Sequence, residues 1–423
     1  MRVAARLRVP GDKSISHRAL ILGALADGRT RVTGILRSAD VESTAGVLRA
    51  LGVEIPELSD DFELRGVGLR GIEQPEVNLD CGNSGTTTRL MAGVVAASPV
   101  SATFVGDASL SRRPMRRVAR PLEAMGARVS LPSHGGLPMT IDGGALNGID
   151  WSSDVASAQV KSAILLAALV ARVSASVTEP TLSRDHTERM LAARGARITS
   201  RGTRVELAAG STLRAVDVSV PSDPSSAAFF AGLTAASDSA EVLLERVCVN
   251  PTRMGFFALL SRMGARVTET NRRDEAGEAV ADVLVRSGAL KGTTVGAADV
   301  PAMIDELPLL ACLATRASGE TIVTGAGELR TKESDRIAAV VANLRAVGAT
   351  AEELPDGYRV IGARSNLRGR VVTHGDHRLA MAFGILGALP GNEIAVDDPA
   401  CVGVSYPGFW DDLDRLRPTA KWS

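Results

Sequence analysis

One phrase recurs five times along this chain: an amphipathic helix that ends in glycine and runs straight into strand-forming residues, as VLRALGVEI, LEAMGARV, MLAARGARI, LLSRMGARV and NLRAVGATA. The glycines, Gly52, Gly126, Gly195, Gly264 and Gly348, lie 74, 69, 69 and 84 residues apart. Each falls where a helix takes a left-handed C-terminal residue, and the residues after it start the next strand. A last helix-like stretch, FWDDLDRL, closes the chain without its strand. Six repeated units of about 70 residues account for this spacing, each mixed α/β and containing a βαβ element.

A chain of 423 residues, 45% of them hydrophobic, exceeds what one core supports and fills two domains of about 200 residues each. The string VPSDPSSAAFF sits near the middle, with two prolines and several cap-forming residues before an apolar helix expected to start near Ala227. A hinge is placed there. With three units per domain, small ligands are expected in the cleft between the domains.

The 48 basic and 48 acidic residues cancel, so a nucleic-acid partner lacks its electrostatic footprint. The longest internal apolar run, Ala163 to Ala171, is nine residues, and the N-terminus has no signal-like run. A cytoplasmic chain without a membrane partner is expected. Cys81, Cys248, Cys312 and Cys401 show no metal-type spacing and read as four buried thiols. Only five of the basic residues are lysines, Lys13, Lys161, Lys291, Lys332 and Lys421, so each invites a chemical reason for not being arginine.

Several strings gather cations at helix starts. In PGDKSISHRALILGAL, Asp12 or Ser14 can cap the helix, and Lys13, Ser14 and Arg18 collect at its positive end, an anion site or simply a solvated first turn. In LDCGNSGTTTRLMAGVVAA, Gly82 to Gly85 form a tight turn that lets backbone N–H groups approach a ligand, or merely a cap with Arg89 paired to a neighbour. It is neither a Walker sequence nor GxGxxG, so nucleotide binding has no specific support. In LRTKESDRIAAVVANLRAVG, Lys332 and Arg336 are four apart, predicting one shared helix face and therefore an anion between them. Glu333 precedes Ile337, Val340 and Leu344 by four, seven and eleven residues, which puts a carboxylate on the buried stripe beside Lys332. Such a group is a general-acid candidate, or else a carboxylate favouring a helix start. Arg113, Arg184 and Arg378 mark further basic sites, Asp376 can cap the helix carrying Arg378, and Asp305 precedes an apolar helix. His374 and His377 could suggest a metal, but only Asp376 lies close in sequence and no further ligand pattern appears, so neither metal nor cofactor is expected.

PGDKSISHR, GNSGTTTR, RRPM, SAQVKSAILLA, SRDHTERML, MIDELP, TKESDRI and GDHRLAMAF stand in the order found in the 5-enolpyruvylshikimate-3-phosphate synthase family, and the chain resembles the second of its two sequence classes over nearly its whole length. The resemblance implies an α/β fold of two domains, each of three βαβαββ units arranged as an inside-out barrel. It divides the chain into a first domain of 1–13 and 223–423 and a second of 14–222, with the active site in the cleft between them, and implies a monomer. It also implies transfer of the enolpyruvyl group of phosphoenolpyruvate to the 5-hydroxyl of shikimate 3-phosphate. Carried over by residue, Lys13, Ser14, Arg18, Ser157, Ala158, Gln159, Arg184, Asp305 and Lys332 would hold shikimate 3-phosphate. Lys13, Gly85, Arg113, Gln159, Arg336 and Arg378 would hold phosphoenolpyruvate, at a site that the inhibitor glyphosate occupies in the family. Asp305 would be the base at the 5-hydroxyl, Glu333 the acid at the methylene carbon, and Lys13 a third catalytic group near both substrates. Val404, Leu90 and Glu328 depart from the better-known class, which has Lys, Pro and Asn there.

Two relatives in fold make rival readings. An enolpyruvyl transferase acting on a UDP-sugar usually carries a reactive cysteine in its first domain, and none lies between Cys81 and Cys248. RNA 3′-terminal phosphate cyclase would need an RNA surface that a neutral chain does not advertise.

Overall fold

The computed structural model describes residues 5–363 and 365–417; Lys421 lies outside them. The chain forms two compact units. Unit 1 comprises the residues through Pro10, Pro221–Arg273 and those from Ala279 onward, and unit 2 comprises Gly11–Val220 with Asp274–Glu278.

Each unit holds three sheets, one per repeat. A complete repeat pairs its first strand in parallel with its second, then adds the fourth and third antiparallel. In unit 2, Leu79–Asp80 runs parallel to Ser101–Val105, which pairs antiparallel with Met139–Asp142, and that strand with Arg128–Ser130. Unit 1 repeats the pattern with Thr294–Val295, Gly319–Val323, Gly357–Gly362 and Thr350–Leu354. The parallel pair forces a crossover, and a helix fills it. Four sheets have four strands, while the others have three and two.

The five glycines close their helices identically. Each has a positive φ, from +85° at Gly52 and Gly195 to +119° at Gly264. The glycine N–H donates to the carbonyl three residues back, and the next residue donates to the carbonyl five back, as Gly52 to Arg49 (3.1 Å) with Val53 to Leu48 (3.0 Å), and Gly348 to Arg345 (3.0 Å) with Ala349 to Leu344 (2.9 Å). This is the Schellman cap, and it recurs because only glycine adopts that backbone without a Cβ penalty. FWDDLDRL is the Phe409–Leu416 helix.

Three further helices per unit are buried on nearly all sides, as apolar composition around the whole circumference requires. They are Lys13–Leu25, Gly85–Ala96 and Ala158–Ala171 in unit 2, and Pro224–Ala236, Leu307–Ala314 and His377–Ala388 in unit 1. In unit 1 they form the middle of one continuous core with Leu244, Val283 and Val360 from the sheets. In unit 2, Gly93 lies so close to the next helix that an added Cβ would sit 2.2 Å from the Ala163 carbonyl. The helix expected near Ala227 begins at Pro224, the second of the central prolines, because Asp223 accepts from the Ser225 N–H at 2.7 Å and proline suits the first turn. Among the described residues no helix is long and apolar enough to cross a membrane. Cys81, Cys248 and Cys312 are buried, but Cys401 is partly exposed, so the expectation of four buried thiols holds for three.

Candidate active site

The central helices deliver the candidate residues. Their N-termini are capped by side chains: Asp12 accepts from Ile15 N (2.8 Å), Ser84 from Thr87 N (3.1 Å) and Asp376 from Arg378 N (2.9 Å). Asp12, rather than Ser14, is therefore the cap of the first helix. Free N–H groups and the helix dipole give these ends a positive potential, and the cations stand beside them.

In unit 2, Arg18 is 5% exposed. It donates to Thr187 Oγ1 (2.7 Å), Ser162 Oγ (2.8 Å) and the Ser14 carbonyl (3.0 Å), all uncharged acceptors. Burial pushes its pKa down to about 10, against the pull of Glu188, Asp12 and Glu278, and Arg184 is near enough to lower it further. It stays charged at neutral pH with a second cation close by, which favours an anion there. Lys13 pairs with Asp40. His17, behind them, bonds Thr44 Oγ1 at 2.7 Å, and burial together with Lys13 and Arg18 holds its imidazole neutral.

Ser157 caps the Ala158–Ala171 helix, whose first residues are Ala158 and Gln159. Gln159 accepts from Arg89 Nη1 (2.8 Å) and donates to Thr86 Oγ1 (2.9 Å), which ties its helix to the start of Gly85–Ala96. Arg113 donates to Asn83 Oδ1 at 2.7 Å. A methyl group built on Gly85 would meet Arg89 Nη1 at 2.6 Å and Arg113 Nη1 at 3.6 Å, so the glycine opens onto two guanidinium groups.

In unit 1, Arg336 is 2% exposed and gathers three carboxylates. Its Nε and Nη2 reach Asp376 Oδ2 (2.8 Å) and Oδ1 (3.2 Å), Nη2 reaches Glu333 Oε2 (2.6 Å), and Nη1 lies 3.6 Å from Asp305 Oδ1. Burial works against this charge, but Asp376, Glu333 and Asp305 overcome it and raise the guanidinium pKa. Asp376 stays below the usual carboxylate range: burial pushes it up, and Arg336 outweighs that. Arg378 Nη1 lies 4.0 Å from Glu306 Oε1.

Two expectations need correction. Lys332, Glu333 and Arg336 do not share a helix face. Lys332 ends the Gly327–Thr331 turn of 3-10 helix, and the α-helix begins only at Arg336, because Asp335 caps it by accepting from Ala338 N at 3.0 Å. Nor do Lys332 and Arg336 stand as an uncompensated pair: Lys332 is 3.4 Å from Glu328, the residue that departs from the better-known class, and Arg336 has its three acids. Asp376 caps the helix that carries Arg378, as the sequence suggests, and in addition partners Arg336 and accepts from Ser334 Oγ at 2.9 Å. Sequence reasoning also passed over Asp40, Glu306 and the buried trio Lys161, Glu179 and Glu188; only the rarity of lysine hinted at the last.

The family model described as EPSP synthase (3-phosphoshikimate 1-carboxyvinyltransferase) matches residues 1–413. A 3-phosphoshikimate 1-carboxyvinyltransferase of Sulfurihydrogenibium sp. (strain YO3AOP1) is 49% identical over 420 residues, 98% of this chain and 97% of that protein. One from Alkalilimnicola ehrlichii is 50% identical over 406 residues, 96% of this chain and 91% of that protein. A solved EPSP synthase structure from Acinetobacter baumannii superposes with a TM-score of 0.86 at 41% identity, covering 97% of this chain and 95% of that one.

Proposed function

The chain belongs to the EPSP synthase family, and from that premise we propose how its residues divide the work. The enzyme is a 3-phosphoshikimate 1-carboxyvinyltransferase of the shikimate pathway. It joins the 5-oxygen of shikimate 3-phosphate to C2 of phosphoenolpyruvate, then expels phosphate to leave the enolpyruvyl ether.

Lys13, Ser14, Arg18, Ser157, Ala158, Gln159 and Arg184 take shikimate 3-phosphate, joined by Lys332 and Asp305. Gly85, Arg113, Arg336 and Arg378 take phosphoenolpyruvate, with Lys13 and Gln159 serving both. Each substrate brings a phosphate and a carboxylate, so fixed cations must offset their repulsion. The observation that carries this assignment is Arg18, a buried cation whose bonds go to uncharged oxygens, with Arg184 nearby. Asp305 accepts the 5-hydroxyl proton as the C–O bond forms, and Glu333 gives a proton to C3 of phosphoenolpyruvate. In the second half Glu333 takes a proton back from the C3 methyl group as the C–O bond to phosphate breaks.

The test is turnover by the purified chain. Phosphate release should require both shikimate 3-phosphate and phosphoenolpyruvate, and replacing the former by a UDP-sugar should abolish it. ATP-dependent modification of RNA ends in place of that release would select the cyclase reading.

A further inference from the structure

Glu179 follows the Ala175–Thr178 strand of unit 2 and is 3% exposed. Its Oε1 accepts from the Ser157 backbone N–H at 2.9 Å, and its Oε2 accepts from Lys161 Nζ at 2.8 Å. The Ser183 hydroxyl lies 2.8 Å from both carboxylate oxygens. Lys161, 1% exposed, also pairs with Glu188 at 2.8 Å. Although burial works against the ammonium charge, Glu188 and Glu179 hold Lys161 above the ordinary lysine value. Glu188 follows Thr187, whose hydroxyl accepts from Arg18 Nε at 2.7 Å.

A buried trio of charges is an expensive way to fill a core, since apolar side chains of similar volume often stabilise as well or better. Its contacts suggest another use. Ser157 caps its helix, and the N–H of a capping residue is commonly satisfied by a Glu or Gln three positions on. That position holds Val160, which cannot do it, and Glu179 supplies the acceptor from another strand. The same carboxylate fastens Ser183, the residue before Arg184. Through Lys161 and Glu188 the cluster adjoins the seat of Arg18. Two segments that carry the shikimate 3-phosphate residues of unit 2, at Ser157 and at Ser183–Arg184, therefore converge on one carboxylate, and its lysine reaches toward a third through Glu188 and Thr187.

We propose that Glu179 is a positioning residue for the shikimate 3-phosphate pocket, fixing Ser157 and the Ser183–Arg184 loop at the spacing the substrate requires. This rests on assigning Ser157, Arg18 and Arg184 to that substrate. Lysine suits the node because one compact ammonium donates to two carboxylates without the planar fork of arginine.

Steady-state kinetics of the full chain test it. Glu179→Gln keeps the shape of the side chain and removes its charge, and the KM for shikimate 3-phosphate should rise about tenfold, the order expected for a lost charge-assisted hydrogen bond. The KM for phosphoenolpyruvate should stay within about twofold, well inside that same scale. A purely structural role would lower the active fraction and kcat without this split. Should Glu179→Gln fail to fold, Ser183→Ala removes one hydroxyl from the node and should raise the same KM about threefold, as a neutral hydrogen bond does. Equal rises for both substrates, or no rise for shikimate 3-phosphate in the folded variants, overturn the proposal. Arg184→Ala separates the two failures. If it raises the shikimate 3-phosphate KM while the Glu179 and Ser183 changes do not, only the positioning role falls; if it too has no effect, the pocket assignment falls and takes the proposal with it.

Discussion

Arg336 and Asp376 meet side-on in the interior of unit 1, through Nε to Oδ2 at 2.8 Å and Nη2 to Oδ1 at 3.2 Å, with 2% and 0% of their side chains exposed. Asp376 simultaneously caps the His377–Ala388 helix and accepts from Ser334. One carboxylate thus sets the guanidinium, the start of the helix that carries Arg378, and the bend that carries Glu333.

Removing that charge should be costly. Asp376→Asn leaves a buried guanidinium with one fewer partner, and the unfolding free energy should fall by about 3–5 kcal/mol. Asp376 titrates lower in the folded chain than in the unfolded one. Its contribution is therefore complete above the unfolded value of about 3.9 and declines as pH falls through the folded value. Urea unfolding should show a gap between wild type and variant that is constant above about pH 5 and narrows below about pH 4. A gap independent of pH would show that the pair carries no such linkage.

The glycine caps offer a cleaner measurement of backbone strain. Gly348 has φ +93°, and a Cβ there would meet nothing within 4 Å, so Gly348→Ala isolates the left-handed conformation from any clash. It should cost about 1 kcal/mol in denaturant unfolding. Gly52→Ala should cost more, because its Cβ would lie 2.8 Å from the Glu73 carboxyl group. Equal losses at the two positions would mean that Glu73 moves aside freely.

These caps were legible in the sequence because every ingredient is local: a helix stripe, a glycine and the strand residues after it. The helix start at Arg336 was not. The string KESD offers Glu333, Ser334 and Asp335 in succession, any of which suits a first turn, and the choice fell to Asp335 once its carboxylate reached Ala338 N. Long-range partners were equally hidden. Asp376 lies 40 residues from Arg336 and Glu179 18 from Lys161, and neither pair lies within one helix or one strand. The family motifs named Arg336, Arg18 and Ser157, and Glu333 and Asp305 beside Arg336, but not the pairing of Asp376 with Arg336, of Thr187 and Ser162 with Arg18, or of Glu179 with Ser157, which only the packing of separate segments brings together.

Gly85→Ala tests the phosphoenolpyruvate side. The added methyl would press on Arg89 Nη1 at 2.6 Å, the end of a flexible side chain that also bonds Gln159. Arg89 should give way and the fold survive. The methyl then crowds the space before Arg113, and a ligand longer than phosphoenolpyruvate suffers more. The glyphosate inhibition constant should rise by a larger factor than the KM for phosphoenolpyruvate. Equal factors would place Gly85 away from that contact.

Glu333 and Asp305 share Arg336, at 2.6 Å and 3.6 Å. If phosphoenolpyruvate brings its anionic group to the same guanidinium, it competes with Glu333 for the Nη2 hydrogens, and the displaced carboxylate becomes easier to protonate. Glu333→Gln cannot deliver that proton, and Asp305→Asn cannot accept one from the 5-hydroxyl. In each variant kcat should fall by about 10²-fold or more, the usual contribution of a general acid or base, while substrate binding is retained. Incorporation of solvent deuterium into the methylene group of phosphoenolpyruvate distinguishes the two roles, because Glu333→Gln should suppress it even when the ternary complex forms. If Glu333→Gln turns over within about threefold of wild type, well short of a general-acid effect, Glu333 is only an ion-pair partner of Arg336 and the acid is another group.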